Sequence, residues 1–172
     1  MATGAQTAVS FRASTLAALA DHARETYPAE CCGIILRRPG EEEEAVRRIR
    51  NIQDELHGRD PARYPRTARI AYYMEPKQLL DAQRALEQGG WSLVAIYHSH
   101  PDHEAYFSQE DRDRAMAGEE PLYPATAYFI IPVDANAVGE MKVFRWIKEK
   151  KDFLEASIAP RSSRGAGVRG RR

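Results

Sequence analysis

Cysteine is nearly absent: the 172 residues include two, and they are neighbours, Cys31 and Cys32. Adjacent residues of a strand-like run point to opposite faces, so a disulfide between them would be strained. That excludes a disulfide framework and suits a reducing compartment, with both thiols expected as packing residues. No distant cysteine completes a Cys-x-x-Cys metal pair. Long apolar runs are missing too, since none approaches the roughly eighteen residues needed to cross a bilayer. The opening MATGAQTAVSF has neither the basic start nor the hydrophobic block of a secretory signal. The expectation is a cytoplasmic chain with no membrane partner.

Net charge is absent as well, with 25 basic and 25 acidic residues, but the balance is uneven along the chain. The last fourteen residues, APRSSRGAGVRGRR, hold five arginines and no acid. They are too poor in apolar groups to offset their ordering entropy, so 159–172 is expected to be a disordered basic tail. Arginines of this kind can pair with phosphate or carboxylate, yet a solvated end is the preferred reading and nucleic acid is not an expected partner. The remainder, 1–158, fits one domain whose core needs no structural metal.

What is present has α/β order. Leu16, Leu19, Ala20, Ala23 and Tyr27 recur at helical spacing and predict a helix over 13–27 that Pro28 stops. CCGIILR (31–37) and AVRRIRNI (45–52) read as a hairpin around an acidic turn. Residues 53–67, with Gly58, Pro61 and Pro65, read as a long loop carrying His57. ARIAYYM (68–74) reads as a strand and 76–88 as a helix with Pro76 in its first turn. SLVAIYH (92–98) is a continuous apolar run, as in a central strand covered on both faces. A short helix opens near Ser108, two strands follow over 125–133 and 140–148, and DFLEASI packs back on the sheet. The expected fold is a mixed central β-sheet layered by helices.

The chemistry concentrates in HSHPDHEAYFSQED (98–111). His98 and His100, two apart on a strand, leave the same face and can reach one ion. Asp111 follows Ser108 by three residues at a helix start, so its carboxylate and the hydroxyl share a side. Two imidazoles and one carboxylate leave a fourth zinc position open, the arrangement of catalytic rather than structural sites. Taken alone, Ser-x-x-Asp is equally a helix cap, His103 is a rival third ligand, and Glu75, Glu104 and Glu110 compete with Glu30 for the role of general base. The chain lacks the His-Glu-x-x-His of thermolysin-like sites and the Pro-Cys-x-x-Cys of zinc deaminases. It is also short for a barrel amidohydrolase.

His-x-His-Pro, six residues, then Ser-x-x-Asp resembles, without a gap, the JAMM motif of the MPN metalloproteases. Upstream, HARETYPAECCGIILR (22–37) is similar to that family's opening helix, Pro-x-Glu and Gly-bearing strand. The resemblance covers about residues 8–148 and departs at Phe107, where proline is common. It implies an MPN domain of cytidine-deaminase-like architecture with Zn2+ on His98, His100 and Asp111. It further implies Glu30 as general base and Ser108 as a hydrogen-bond donor to the oxyanion. The implied substrate is the Gly-Gly tail of a ubiquitin-like or sulfur-carrier protein, cut as a processing peptidase or as a deconjugating isopeptidase. A scaffold that keeps the fold without the chemistry is the non-enzymatic alternative, which the intact motif opposes. Residues 53–67 and 117–125 are expected to shape the substrate channel, with Tyr106 and Phe107 at its mouth. Pairing of the chain into a homodimer is left open.

Overall fold

The computed structural model describes residues 8–161, apart from 39 and 42. In chain order the elements are β1 (Val9–Arg12), α1 (Ala13–Thr26), β2 (Cys32–Arg37), β3 (Glu44–Ile49), α2 (Gln53–Arg59), α3 (Pro76–Gly89) and β4 (Ser92–Pro101). They continue with α4 (Gln109–Ala115), β5 (Met116–Ala117), β6 (Glu120–Pro121), β7 (Ala127–Val133), β8 (Lys142–Ile147), β9 (Asp152–Ala156) and β10 (Ile158–Arg161). Six strands form one mixed sheet in the order β3-β2-β4-β7-β8-β9. Within this sheet β4–β7 is the one parallel pairing, so the connection between them must cross over the sheet, and it carries α4.

The apolar run of β4 lies at the centre, as its composition predicts, and its alternation divides the core. Ala95 and Tyr97 face α1 with Leu19 and Ala23, in a cluster that takes in Phe129 and Ile131 of β7. Ile96 faces the opposite layer. There Ala82 of α3 covers Ile34 and Leu36, while Phe107 and Ala115 cover Tyr128, Ile130, Phe144 and Phe153. Between these two patches the end of β4 carries His98 and His100.

Gly33 is required by the α1-side packing. Tyr97 lies opposite it across the β2–β4 ladder, and a Cβ on Gly33 would sit 2.4 Å from the Tyr97 hydroxyl and 2.4 Å from the Arg47 carbonyl. The missing side chain lets the phenol reach His22 of α1, whose Nδ1 lies 2.8 Å from the hydroxyl.

Two stretches differ from the expectation. Residues 53–67 begin with helix α2, too short for a readable apolar period. The chain then folds back, held by Gln53 to the Arg66 carbonyl, Asp54 to the Ala68 amide and His57 to the Tyr64 carbonyl. Residues 68–74 are not a strand; only Met74 bridges, to Asn51. Their backbone groups are taken by side chains and loop atoms instead of a ladder: the Asn51 amide donates to Ala71 O and accepts from Tyr73 N. DFLEASI does pack back, as edge strand β9, and β10 then pairs in parallel with β1. Strand β10 reaches Arg161, and the rest of the expected tail, 162–172, lies outside the described residues. No described helix is long and apolar enough to cross a membrane.

Candidate active site

His98, His100 and Asp111 converge, with ligand atoms all within 4.8 Å of one another, and all three residues are buried. His98 Nε2 lies 3.1 Å from His100 Nε2 and 3.3 Å from Asp111 Oδ1. The partners of the remaining atoms fix what these atoms offer. His100 Nδ1 is 2.9 Å from the Glu104 carbonyl, which can only accept, so Nδ1 carries the hydrogen and Nε2 presents a lone pair. Asp111 Oδ2 accepts from Ser108 N at 2.9 Å and Ser108 Oγ at 2.6 Å, leaving Oδ1 turned to the histidines. Burial holds the His98 pKa down at about 4, against the pull of Asp111, and lowers that of His100. Both rings are neutral at pH 7, the form a metal requires.

The cap and ligand readings of Ser108-x-x-Asp111 prove compatible. Ser108 is the N-cap of α4, accepting from Asp111 N at 3.1 Å in a reciprocal capping box, and the same box orients the carboxylate.

Glu30 lies in the same pocket, of about 290 Å³, with His100, Ser108, Asp111, Tyr72 and Tyr106. It is buried, and that burial, with Asp111 nearby, pushes its carboxyl pKa up to about 9. Its backbone is latched on two sides: Glu30 N donates to Ala68 O at 2.7 Å, and Glu30 O accepts from Asn51 Nδ2 at 3.0 Å. The next residue is clamped to β4, Cys31 N donating to Ser99 Oγ at 2.8 Å and Ser99 N to Cys31 O at 3.0 Å. The serine of His-Ser-His therefore registers Glu30 against the two histidines. Both cysteines are free and buried.

The rival residues go elsewhere. Glu75 caps α3, Glu104 offers its carbonyl to His100, and Glu110 is tied to Arg66 and Arg114 at the pocket rim. His103 lines the pocket outside the triad. Tyr106 is 54% exposed at the mouth, its ring 5.0 Å from that of His100. Phe107 needs correction: it is buried, stacked on Phe144 at 5.0–5.4 Å from three aromatic rings, and belongs to the core rather than the mouth. Alternation past Tyr106 turns it inward. Residues 117–125 are likewise absent from the pocket lining, which is supplied by Arg66 and by Ile70, Ala71 and Tyr72. Tyr72, packed 4.6 Å from the His98 ring, was hidden in a stretch that reads as a strand.

Two neutral imidazoles and a carboxylate aimed at one point, beside a buried glutamate in an open pocket, form a JAMM-type metallopeptidase site. Residues 12–147 match the family described as prokaryotic homologs of the JAB domain, and the chain belongs to that family. Among curated proteins it is similar to a desampylase of Haloferax volcanii, 28% identical over 88% of this chain and 95% of the relative. A shorter match, 54% identical over 41 residues, covers 24% of this chain and 28% of a probable TtuB-protein conjugate cleaving protease of Thermus thermophilus. Solution structures of proteins from Desulfitobacterium hafniense and Salinibacter ruber share the fold. Their TM-scores are 0.64 and 0.58 at 22% and 23% identity, each over 89% of this chain and 92% of the other.

Proposed function

We propose that the chain is a zinc-dependent peptidase or isopeptidase that cuts after the Gly-Gly tail of a ubiquitin-like or sulfur-carrier protein. One observation carries the reading: His98 Nε2, His100 Nε2 and Asp111 Oδ1, atoms of the kinds that ligate zinc, converge at 3.1–3.3 Å in a buried cluster. Two nitrogens and one oxygen on a three-residue site suit zinc. A zinc ion there supplies Lewis acidity, polarising a carbonyl and easing deprotonation of water at neutral pH.

The chain's own residues do the rest. Glu30 takes a proton from water and returns it to the leaving amine, while the water oxygen joins the glycine carbonyl carbon and the C–N bond breaks. Without a cation Glu30 is held as the acid; positive charge at the triad favours its carboxylate, the form a base needs. Ser108 serves the oxyanion by turning its hydrogen from Asp111 Oδ2, a contact worth on the order of 3 kcal/mol. The central His-bearing strand and flanking helices support a cytidine-deaminase-like arrangement, and the free cysteines support a cytoplasmic setting. The names of the two curated relatives favour a deconjugating role as a second reading of the same chemistry.

The test incubates the protein with Gly-Gly-tailed fusions and isopeptide conjugates, with and without chelator, and weighs the products. Cleavage after Gly-Gly that stops with chelator is expected; intact substrates throughout would contradict the reading.

A further inference from the structure

Two guanidinium groups wall the pocket that contains Glu30. Arg66 and Arg114 both line it, and one carboxylate, Glu110, serves both, its Oε2 taking Arg66 and its Oε1 taking Arg114 at 2.6 Å. Arg114 is fastened further, donating Nη1 to the Tyr72 carbonyl and lying 5.2 Å from the Tyr72 ring centroid. Arg66 has Glu110 as its one side-chain ion pair among the described residues, and its side chain is 53% exposed. Two cations sharing one anion leave the rim with a positive charge to spare, and Arg66 presents it at the surface. Both arginines lie within electrostatic reach of Glu30.

Glu30 hands its proton to the leaving amine, so the leaving group occupies the side of the pocket that Glu30 and the arginines share. In a linear extension of one residue, a carboxylate follows that amine at once, its carbon roughly 2.5 Å from the nitrogen. An isopeptide leaving group is a lysine ε-amine, followed by four methylenes and no anion. The two substrate types therefore differ in charge at the point where the arginines stand.

We propose that Arg66, steadied by Glu110 and backed by Arg114, binds the α-carboxylate of the residue released after Gly-Gly, making a single-residue C-terminal extension the preferred substrate. The inference rests on the Gly-Gly reading above and sharpens it to a leaving-group class. A guanidinium suits this task because its paired N–H groups match both carboxylate oxygens.

The experiment uses one Gly-Gly carrier extended by alanine, prepared as the free acid and as the C-terminal amide, beside an isopeptide conjugate. For the wild-type protein we expect the acid to exceed the amide by about 10- to 100-fold in kcat/KM, chiefly through KM. In Arg66→Ala the acid-to-amide ratio should collapse toward one, and Arg66→Lys should restore part of it. Calorimetry on Glu30→Gln, which holds substrate uncut, should show the same acid-over-amide preference in affinity and its loss in the double variant with Arg66→Ala. Equal rates for acid and amide in the wild type, or a ratio unmoved by Arg66→Ala, would overturn this proposal alone. Failure to cut any Gly-Gly substrate would overturn it together with the reading beneath it.

Discussion

A histidine contact lies against each face of strand β4, and the two have opposite meanings. On the α1 face His22 meets Tyr97; on the other, His98 meets His100 and Asp111. Burial lowers both His22 and His98 to a pKa of about 4. Desolvation and a shifted pKa are thus common to a packing contact and a catalytic centre, and neither marks function by itself. What separates them is the convergence of metal-ligating atoms. The His22 Nδ1 has a hydroxyl, able to donate, at 2.8 Å. The His98 Nε2 instead meets His100 Nε2 at 3.1 Å and Asp111 Oδ1 at 3.3 Å, three metal-ligating atoms drawn to one point.

The largest effect that would break this contrast is on turnover. Glu30→Gln should reduce the rate by about 10³-fold or more while metal stays bound, whereas His22→Ala should leave metal content unchanged. A wild-type rate in Glu30→Gln would remove Glu30 from the mechanism. Next comes Gly33→Ala, whose new Cβ collides with Tyr97 and the Arg47 backbone at 2.4 Å. A loss of about 1–3 kcal/mol in denaturant unfolding is expected, and an unchanged midpoint would contradict the packing described for the α1 face. His22→Ala should cost about 1 kcal/mol, the ordinary worth of its bond to Tyr97.

A further pair of effects lies in pH dependence, and the two differ in sign. Glu30, raised from 4.5 to about 9, stays protonated in the folded chain over a range where the unfolded chain ionises. Its contribution is therefore fully present below pH 4.5 and is lost as pH rises toward 9. Metal-free Glu30→Gln should be more stable than metal-free wild type at pH 8, with the gap closing toward pH 5. His22, lowered from 6.5 to about 4, contributes stability above pH 6.5 that is lost as pH falls through 4. Thermal melts across pH 4–9 distinguish the two trends, and a gap for Glu30→Gln that widened toward acid would contradict the first.

These two faces were not equally legible. The metal-bearing face could be read because strand alternation sends His98 and His100 one way, and a capping box places Asp111 three residues from Ser108. Both are local rules. The roof of the pocket could not be read, because Tyr72 and Arg66 are positioned by Asn51, Gln53 and Asp54 through side-chain bonds to backbone across 13 to 20 residues of chain. Such bonds leave no period in the sequence, so ARIAYYM mimics a strand and α2 passes for loop. Phe107 shows the same limit at short range: its aromatic neighbour Tyr106 stays at the mouth, and one step of alternation sends Phe107 into the core. Ser99, between the two histidines, was visible as a residue but not as the clamp on Cys31, since its partner is 68 residues away.

The central claim is that the second face of β4 is built around one cation. Its most direct test is the zinc content and zinc affinity of purified protein, measured for wild type, Asp111→Ala and His22→Ala. The account predicts one zinc per chain in wild type and in His22→Ala, and none retained by Asp111→Ala. Stoichiometric zinc in Asp111→Ala, or a wild-type chain that binds none from a zinc-containing buffer, would contradict it.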